Sequence, residues 1–133
     1  MADTIVTERP HSATIRVWHG EDWYDALPQL VDNAGLPFDV TSYTLELFAR
    51  PTLDHSVLLK LLTSEASAGI RKENASLGLV SFFLDQASVE ASLPVGTWQQ
   101  FFRITWDDEL LGEVSKIIWT GDIIVFPAND STA

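Results

Sequence analysis

The stretch LPVGTWQQFFRITWDDELLGEV, Leu93 to Val114, sets Trp98, Phe101, Phe102 and Trp106 beside Asp107, Asp108 and Glu109. Flat aromatic rings stack on sugar faces. Two carboxyl groups across a cleft can serve as acid and base on a glycosidic bond. Carboxylates gathered in a loop also suit a hard cation such as calcium. A second acid–aromatic cluster, WHGEDWYD, runs from Trp18 to Asp25. It could form the lip of a small-ligand site, cover the edge of a sheet, or make a contact between subunits, where Trp and Tyr are enriched.

Which chemistry survives depends on the elements that carry these residues. In a strand, successive side chains point to opposite faces. From Thr97 to Trp106 the even positions are Trp98, Gln100, Phe102, Ile104 and Trp106. The odd positions are Thr97, Gln99, Phe101, Arg103 and Thr105. The even face is the apolar one and is expected in the core. The odd face is expected to meet water or a neighbouring subunit. Three of the four aromatics are then architecture, and Asp107, Asp108 and Glu109 fall at a hairpin turn. A glycosidase acid is kept protonated by burial and faces its partner across a cleft, which adjacent turn residues do not do. The twelve-residue calcium-loop pattern is absent as well.

No other constellation points to catalysis. His11, His19 and His55 show no metal-ligand spacing,. No serine lies in Gly-x-Ser-x-Gly, and there is no Gly-rich phosphate loop,. The expectation is a non-enzymatic protein with no catalytic, cofactor-binding or metal-binding residues.

The 133 residues suit one domain,. The hydrophobic fraction is 46% and the charged fraction 20%, as in globular chains,. The absence of cysteine excludes disulfides and zinc thiolates,. The net charge is −11, and the eight Lys and Arg form no cluster. Duplex binding needs several cations to displace counterions, so no nucleic-acid partner and no anionic membrane surface is expected. MADTIVTERP has neither the form of a signal peptide nor that of a transit peptide, and no run is apolar enough to span a bilayer,. The expectation is a soluble protein made in the cytoplasm.

Residues 1–12 are polar with Pro10 near their end and read as an N-terminal arm. ATIRVWHG alternates and reads as a first strand ending at Gly20. WYDALPQLVD is a second extended run that Pro28 demotes to an edge strand or a bulge. DNAG is a turn. TLELFAR follows as a strand with Leu45 and Leu47 on one face and Glu46 on the other. HSVLLKLL, a segment near Ile70, and LVSFFLD supply further strands, the last read as buried. DQASVEASLP has an acidic start and a proline stop and reads as one or two helical turns. KIIWTGDIIVFPA closes the chain. A glycine inside a strand often marks a bulge or a close backbone approach, and the chain is expected to bend at Gly121 or cross between sheets there, with Asp122 pointing outward. About eight short strands at this spacing predict an all-β fold, an antiparallel β-sandwich of 7–9 strands over residues 13–127, with a tail at 128–133,.

The order of these signals carries a resemblance. Gly20-Glu21-Asp22 precedes LPFDVTSYTLELFAR. Next come GIRKENASLGLVSFFLDQASVEASLPVGTWQQFFRITWDDELLGEV and a terminal IIWTGDIIVFP. This resembles the immunoglobulin-like N-terminal domain of tailed-phage baseplate upper proteins and related small phage structural proteins, over Ile15 to Phe126. One departure is Asp122, directly after the glycine that in that family opens an uninterrupted apolar strand. The resemblance implies a virion protein of the baseplate, tail, neck or capsid surface, synthesised in the host cytoplasm. Its partners would be other virion proteins and copies of itself in a homo-oligomer. Contacts are expected through Thr4, Ile5 and Val6 of the arm and through Trp18, Trp23 and Tyr24 of the lip. The alternative is a carbohydrate-binding sandwich contacting a host surface, which requires exposed, coplanar aromatics.

Overall fold

The computed structural model describes residues 4–5, 11–52 and 57–128. Its spine is one long hairpin, β9 (Gly96–Asp108) and β10 (Gly112–Phe126), paired from Asp108↔Gly112 to Gly96↔Val125. Gly112, with φ of 77°, supplies the left-handed residue that a short turn requires,. β5 (Thr44–Pro51) pairs antiparallel with β9, and β6 (Leu59–Thr63) with β5. On the other side β2 (His11–Trp18) lies against β10, giving a five-stranded sheet in the order β2-β10-β9-β5-β6. A second sheet has the order β3-β8-β7, from β3 (Trp23–Ala26), β7 (Ile70–Asn74) and β8 (Leu79–Leu84). A short pair, β1 (Thr4–Ile5) with β4 (Leu30–Val31), completes the strands.

The two main sheets pack as a sandwich. Ile15, Val17, Leu45, Leu47, Phe102, Ile104, Ile123 and Val125 are buried from the larger sheet, and Trp23, Ile70, Val80 and Phe82 from the smaller. Phe82 bridges them. Its ring meets Phe102 edge-on at 5.5 Å and Trp119 at 6.1 Å, and Phe102 lies 4.5 Å from Trp119. Off-face ring contacts of this kind add to the area term. One end is closed by α1 (Gln86–Ser92), capped by Asp85, whose carboxylate accepts from the Ser88 N–H at 2.8 Å,. Val89 and Leu93 point from it into the core.

The alternation read from the sequence holds along β9. Phe102 and Ile104 are fully buried, and Trp98 and Trp106 pack half-buried against the core. The chain breaks between β3 and β4 around Pro28, and β3 is an edge strand. The helix forms where the proline-terminated segment predicts it.

Four features differ from the expectation. The sheet is not purely antiparallel: β2 runs parallel to β10 through eight register pairs, from His11↔Trp119 to Trp18↔Phe126. That strand begins at His11, so residues 11 and 12 belong to the sandwich and not to an arm. Thr4 and Ile5 pair with Leu30 and Val31 of their own chain. β8 is not buried throughout: Leu79 and Phe83 are exposed, although Ser81 between them on the same face is buried.

At Gly121 the expected crossing between sheets does not occur; the glycine marks a close approach of two backbones. β10 stays in one sheet, and its register shift falls between Ile117 and Trp119. At Gly121, φ is 158° and an added Cβ would collide with the Ala13 carbonyl of β2. Asp122 is exposed, as the alternation predicts.

Two substitutions separate core from backbone constraint. Phe102→Ala is expected to cost about 3–5 kcal/mol. Gly121→Ala adds a methyl group yet is expected to cost about 3 kcal/mol, because backbone must move. Urea melts of both variants against the parent check this, and a Gly121→Ala protein as stable as the parent would refute the close approach.

Candidate functional site

Along the stretch Trp98–Glu109 both indoles are engaged within the fold. Trp98 donates its indole N–H to the Pro94 carbonyl at 3.1 Å, and Trp106 packs on Tyr43 at 5.4 Å. Phe101 does face outward, where it stacks on Phe48 at 4.9 Å and 12°. The acids shape the turn: one oxygen of Asp108 accepts from the N–H groups of Leu110, at 2.8 Å, and Leu111, at 3.1 Å. Among the described residues no cluster of three or more His, Asp or Glu is placed to hold a metal ion. What the composition of this turn conceals is its apolar tip. Leu110 is 93% exposed and Leu111 76%.

The cluster Trp18–Asp25 is mainly a clamp. The Gly20 N–H donates to Glu90 of α1 at 2.9 Å, and the Gln86 N–H at the helix start donates to Asp22 at 2.8 Å. His19 bonds the Leu93 carbonyl through Nε2 at 2.7 Å. Two acids and a histidine thereby tie the helix to the β2–β3 turn. Trp23 is a correction to the expected lip: it is only 4% exposed, lies edge-on to Phe82 at 6.0 Å, and donates its indole N–H to Asp25 at 2.7 Å. A ring so placed belongs to the core and presents no contact surface. Trp18 is half-buried and stacks on Phe126 at 4.9 Å. Tyr24 alone of the three is well exposed, at 54%. It sits opposite Phe83, itself 40% exposed, across the β3–β8 ladder. The period-two alternation of LVSFFLD carried the signal for Phe83. Val6 and His55 lie outside the described residues.

The outer face of the five-stranded sheet holds a dense group of charges: Glu46, Lys60 and Arg103. Glu46 is buried in β5, and one carboxylate oxygen receives Arg103 through Nη2 at 2.7 Å and Nε at 3.2 Å. The other oxygen meets Lys60 Nζ at 2.8 Å. Burial alone would raise the Glu46 carboxyl. The hydrogen bonds and charges of Lys60 and Arg103 outweigh it and hold the carboxyl below its ordinary value,. The Arg103 guanidinium also lies 4.6 Å from the centre of the Phe48 ring,. A carboxylate fixed between two cations ties β5, β6 and β9 together, and near neutral pH it has no proton to exchange. Beside it, an open groove of about 560 Å³ has a mixed lining: Leu58, Phe101 and Ile117 with the charged Arg50 and Asp122 and the polar Gln99 and Thr120.

Glu46→Gln is expected to lower stability at neutral pH by about 1–3 kcal/mol, since it leaves two cations without their anion. The folded-state value is depressed, so the stabilisation is complete above the ordinary carboxyl value of 4.5 and is lost as pH falls through the lower folded value,. Urea melts across pH should show the two proteins converging in acid. A gap that widens in acid would show that the carboxyl is raised instead.

No family model and no curated protein matches the chain. Among solved structures, the N-terminal domain of phage TP901-1 ORF48 matches with a TM-score of 0.56, covering 93% of this chain and 94% of that one at 13% identity. The chain therefore shares the whole fold of that domain, end to end, with little of its sequence.

Proposed function

We propose that this protein is a non-enzymatic structural component of a tailed-phage particle, acting through protein–protein assembly at the baseplate, tail, neck or capsid surface. The observation that carries the reading is the end-to-end fold match to a domain of a phage protein. This is a fold-level warrant. The chemistry of the surface supports it: the acid–aromatic clusters are spent on turns and on the helix clamp, while Tyr24, Phe83, Leu110 and Leu111 remain exposed. Its partners are other virion proteins and copies of itself. The acidic chain suits neither nucleic acid nor an anionic bilayer,. No helix among the described residues is long and apolar enough to cross a membrane.

A second reading rests on the Tyr24–Phe83 pair, an outward aromatic surface that a carbohydrate could stack on. Glycan-array binding that disappears in Tyr24→Ala would favour it.

Mass spectrometry of gradient-purified particles should find the protein at a fixed ratio to the major virion proteins. Its absence from intact particles refutes the assignment. The purified chain should leave duplex DNA unshifted in a gel at physiological salt, and a salt-sensitive shift at micromolar protein would contradict the surface reading.

A further inference from the structure

The β9–β10 hairpin outruns its neighbours. β5 stops pairing with β9 at Thr44↔Thr105, and β2 begins pairing with β10 only at Trp119. Among the described residues, the segment beyond, from Asp107 through Glu113, has no flanking strand in the sheet. At its end Leu110 and Leu111 stand almost wholly in water. Asp108 fixes their backbone through two hydrogen bonds, so the leucines are held out on a formed turn. Around them lie four acids, Asp107, Asp108, Glu109 and Glu113. Two adjacent leucines on a projecting, shaped tip form an apolar knob with an acidic collar.

The same molecule carries a complementary socket. The apolar part of the groove lining on the outer face of the five-stranded sheet is Ala49, Leu58, Phe101 and Ile117. Leu58 and Ile117 are both exposed, Ile117 at 36%. Arg50 lines it, and Arg103 and Lys60 sit on the same face around Phe48, which stacks on Phe101. Three of the chain's eight Lys and Arg are thus on one face, against Glu46 between Lys60 and Arg103 and Asp122 in the groove lining. On a chain of net charge −11, that is a local reversal of sign. The overall charge opposes random association of copies. It favours contacts in which an acidic patch meets a cationic one.

We infer that the Leu110–Leu111 tip of one copy docks into the Arg50–Phe101–Ile117 groove of a second copy. The two surfaces are unlike, so the contact is directional. Repeated, it closes into a small ring or a reciprocal pair where geometry permits and otherwise extends as a chain. The leucines leave water against Phe101 and Ile117, and the acidic collar meets the cations beside them. The inference concerns the purified chain and is independent of the particle assignment.

Sedimentation velocity of the full chain tests it. The parent should self-associate with rising concentration at low salt, and added salt should weaken the association. The double variant Leu110→Ser, Leu111→Ser should be monomeric, and so should the double variant Arg50→Glu, Ile117→Asp. Each alters exposed or half-exposed positions, and circular dichroism confirms that each is folded. Mixed, the two variants should form a 1:1 complex and nothing larger, because one supplies an intact tip and the other an intact groove. The chain has no cysteine, so a second readout is available. Leu110→Cys mixed with Ile117→Cys should give mainly the mixed disulfide on mild oxidation. A parent that stays monomeric at low salt, tip variants that still associate, or folded variants that fail to complement would each overturn the proposal.

Discussion

The side-chain amide of Gln100 is the interaction on which this sandwich closes. It is buried on the core face of β9, directly opposite Gly121 of β10. Its nitrogen donates to the Ala13 carbonyl of β2 at 3.0 Å, and its oxygen accepts from the Trp119 indole at 2.9 Å. A buried amide without partners is costly, so both ends of Gln100 constrain what surrounds them. To reach Ala13 the side chain must cross the whole width of β10. Between Gln100 and Ala13 stands Gly121, where a side chain would collide with the Ala13 carbonyl that Gln100 binds. The parallel seating of β2 follows, because Ala13 stands beside Gly121 only in that register. The β2–β3 turn then lies where Glu90 and Asp22 can clamp the helix over the open end of the core.

Within this arrangement the acids beside the aromatics have structural partners. Asp22 and Glu90 hold the helix to the turn, Asp25 holds the Trp23 indole, and Asp85 caps the helix. Asp108 shapes the hairpin turn, and Glu46 binds three strands through two cations. In each case the carboxylate satisfies a donor that folding would otherwise leave without a partner. The aromatics nearby fill the core for their area and lend their N–H groups to the same network. The acids left over give the surface its negative charge.

A sandwich with a continuous core, a clamped helix and one hairpin longer than its neighbours resembles a rigid body with a handle. Its stability rests on the inter-sheet cluster of Phe82, Phe102 and Trp119, remote from the tip. Changes at Leu110 and Leu111 therefore leave the packing untouched, and contacts made there load the sheet through backbone hydrogen bonds. That separation of the core from the exposed tip lets the two vary independently.

The sequence by itself determined most of the strand framework. Period-two alternation told which face of β9 is buried, because each residue's side is fixed by backbone geometry alone. Asp85 and Pro94 bounded the helix, and Pro28 broke the second extended run, both through local conformational rules. Gly121 was legible as a special backbone position, but the crossing between sheets expected there did not occur. Only the tertiary structure decided the rest. The parallel pairing of β2 depends on Gln100 and Ala13, which are 87 residues apart. Trp23 went to the core and Tyr24 to the surface because of which sheet β3 joined, and the alternation of WYD alone does not say which side is inside. Glu46 was legible as an outward residue of β5, yet its burial depends on Lys60 and Arg103 arriving from two other strands. The groove beside Phe101 and the reach of the Leu110–Leu111 tip are equally non-local, since they depend on where neighbouring strands stop. Local rules fix which way a side chain points; what it then meets is fixed by residues far away along the chain.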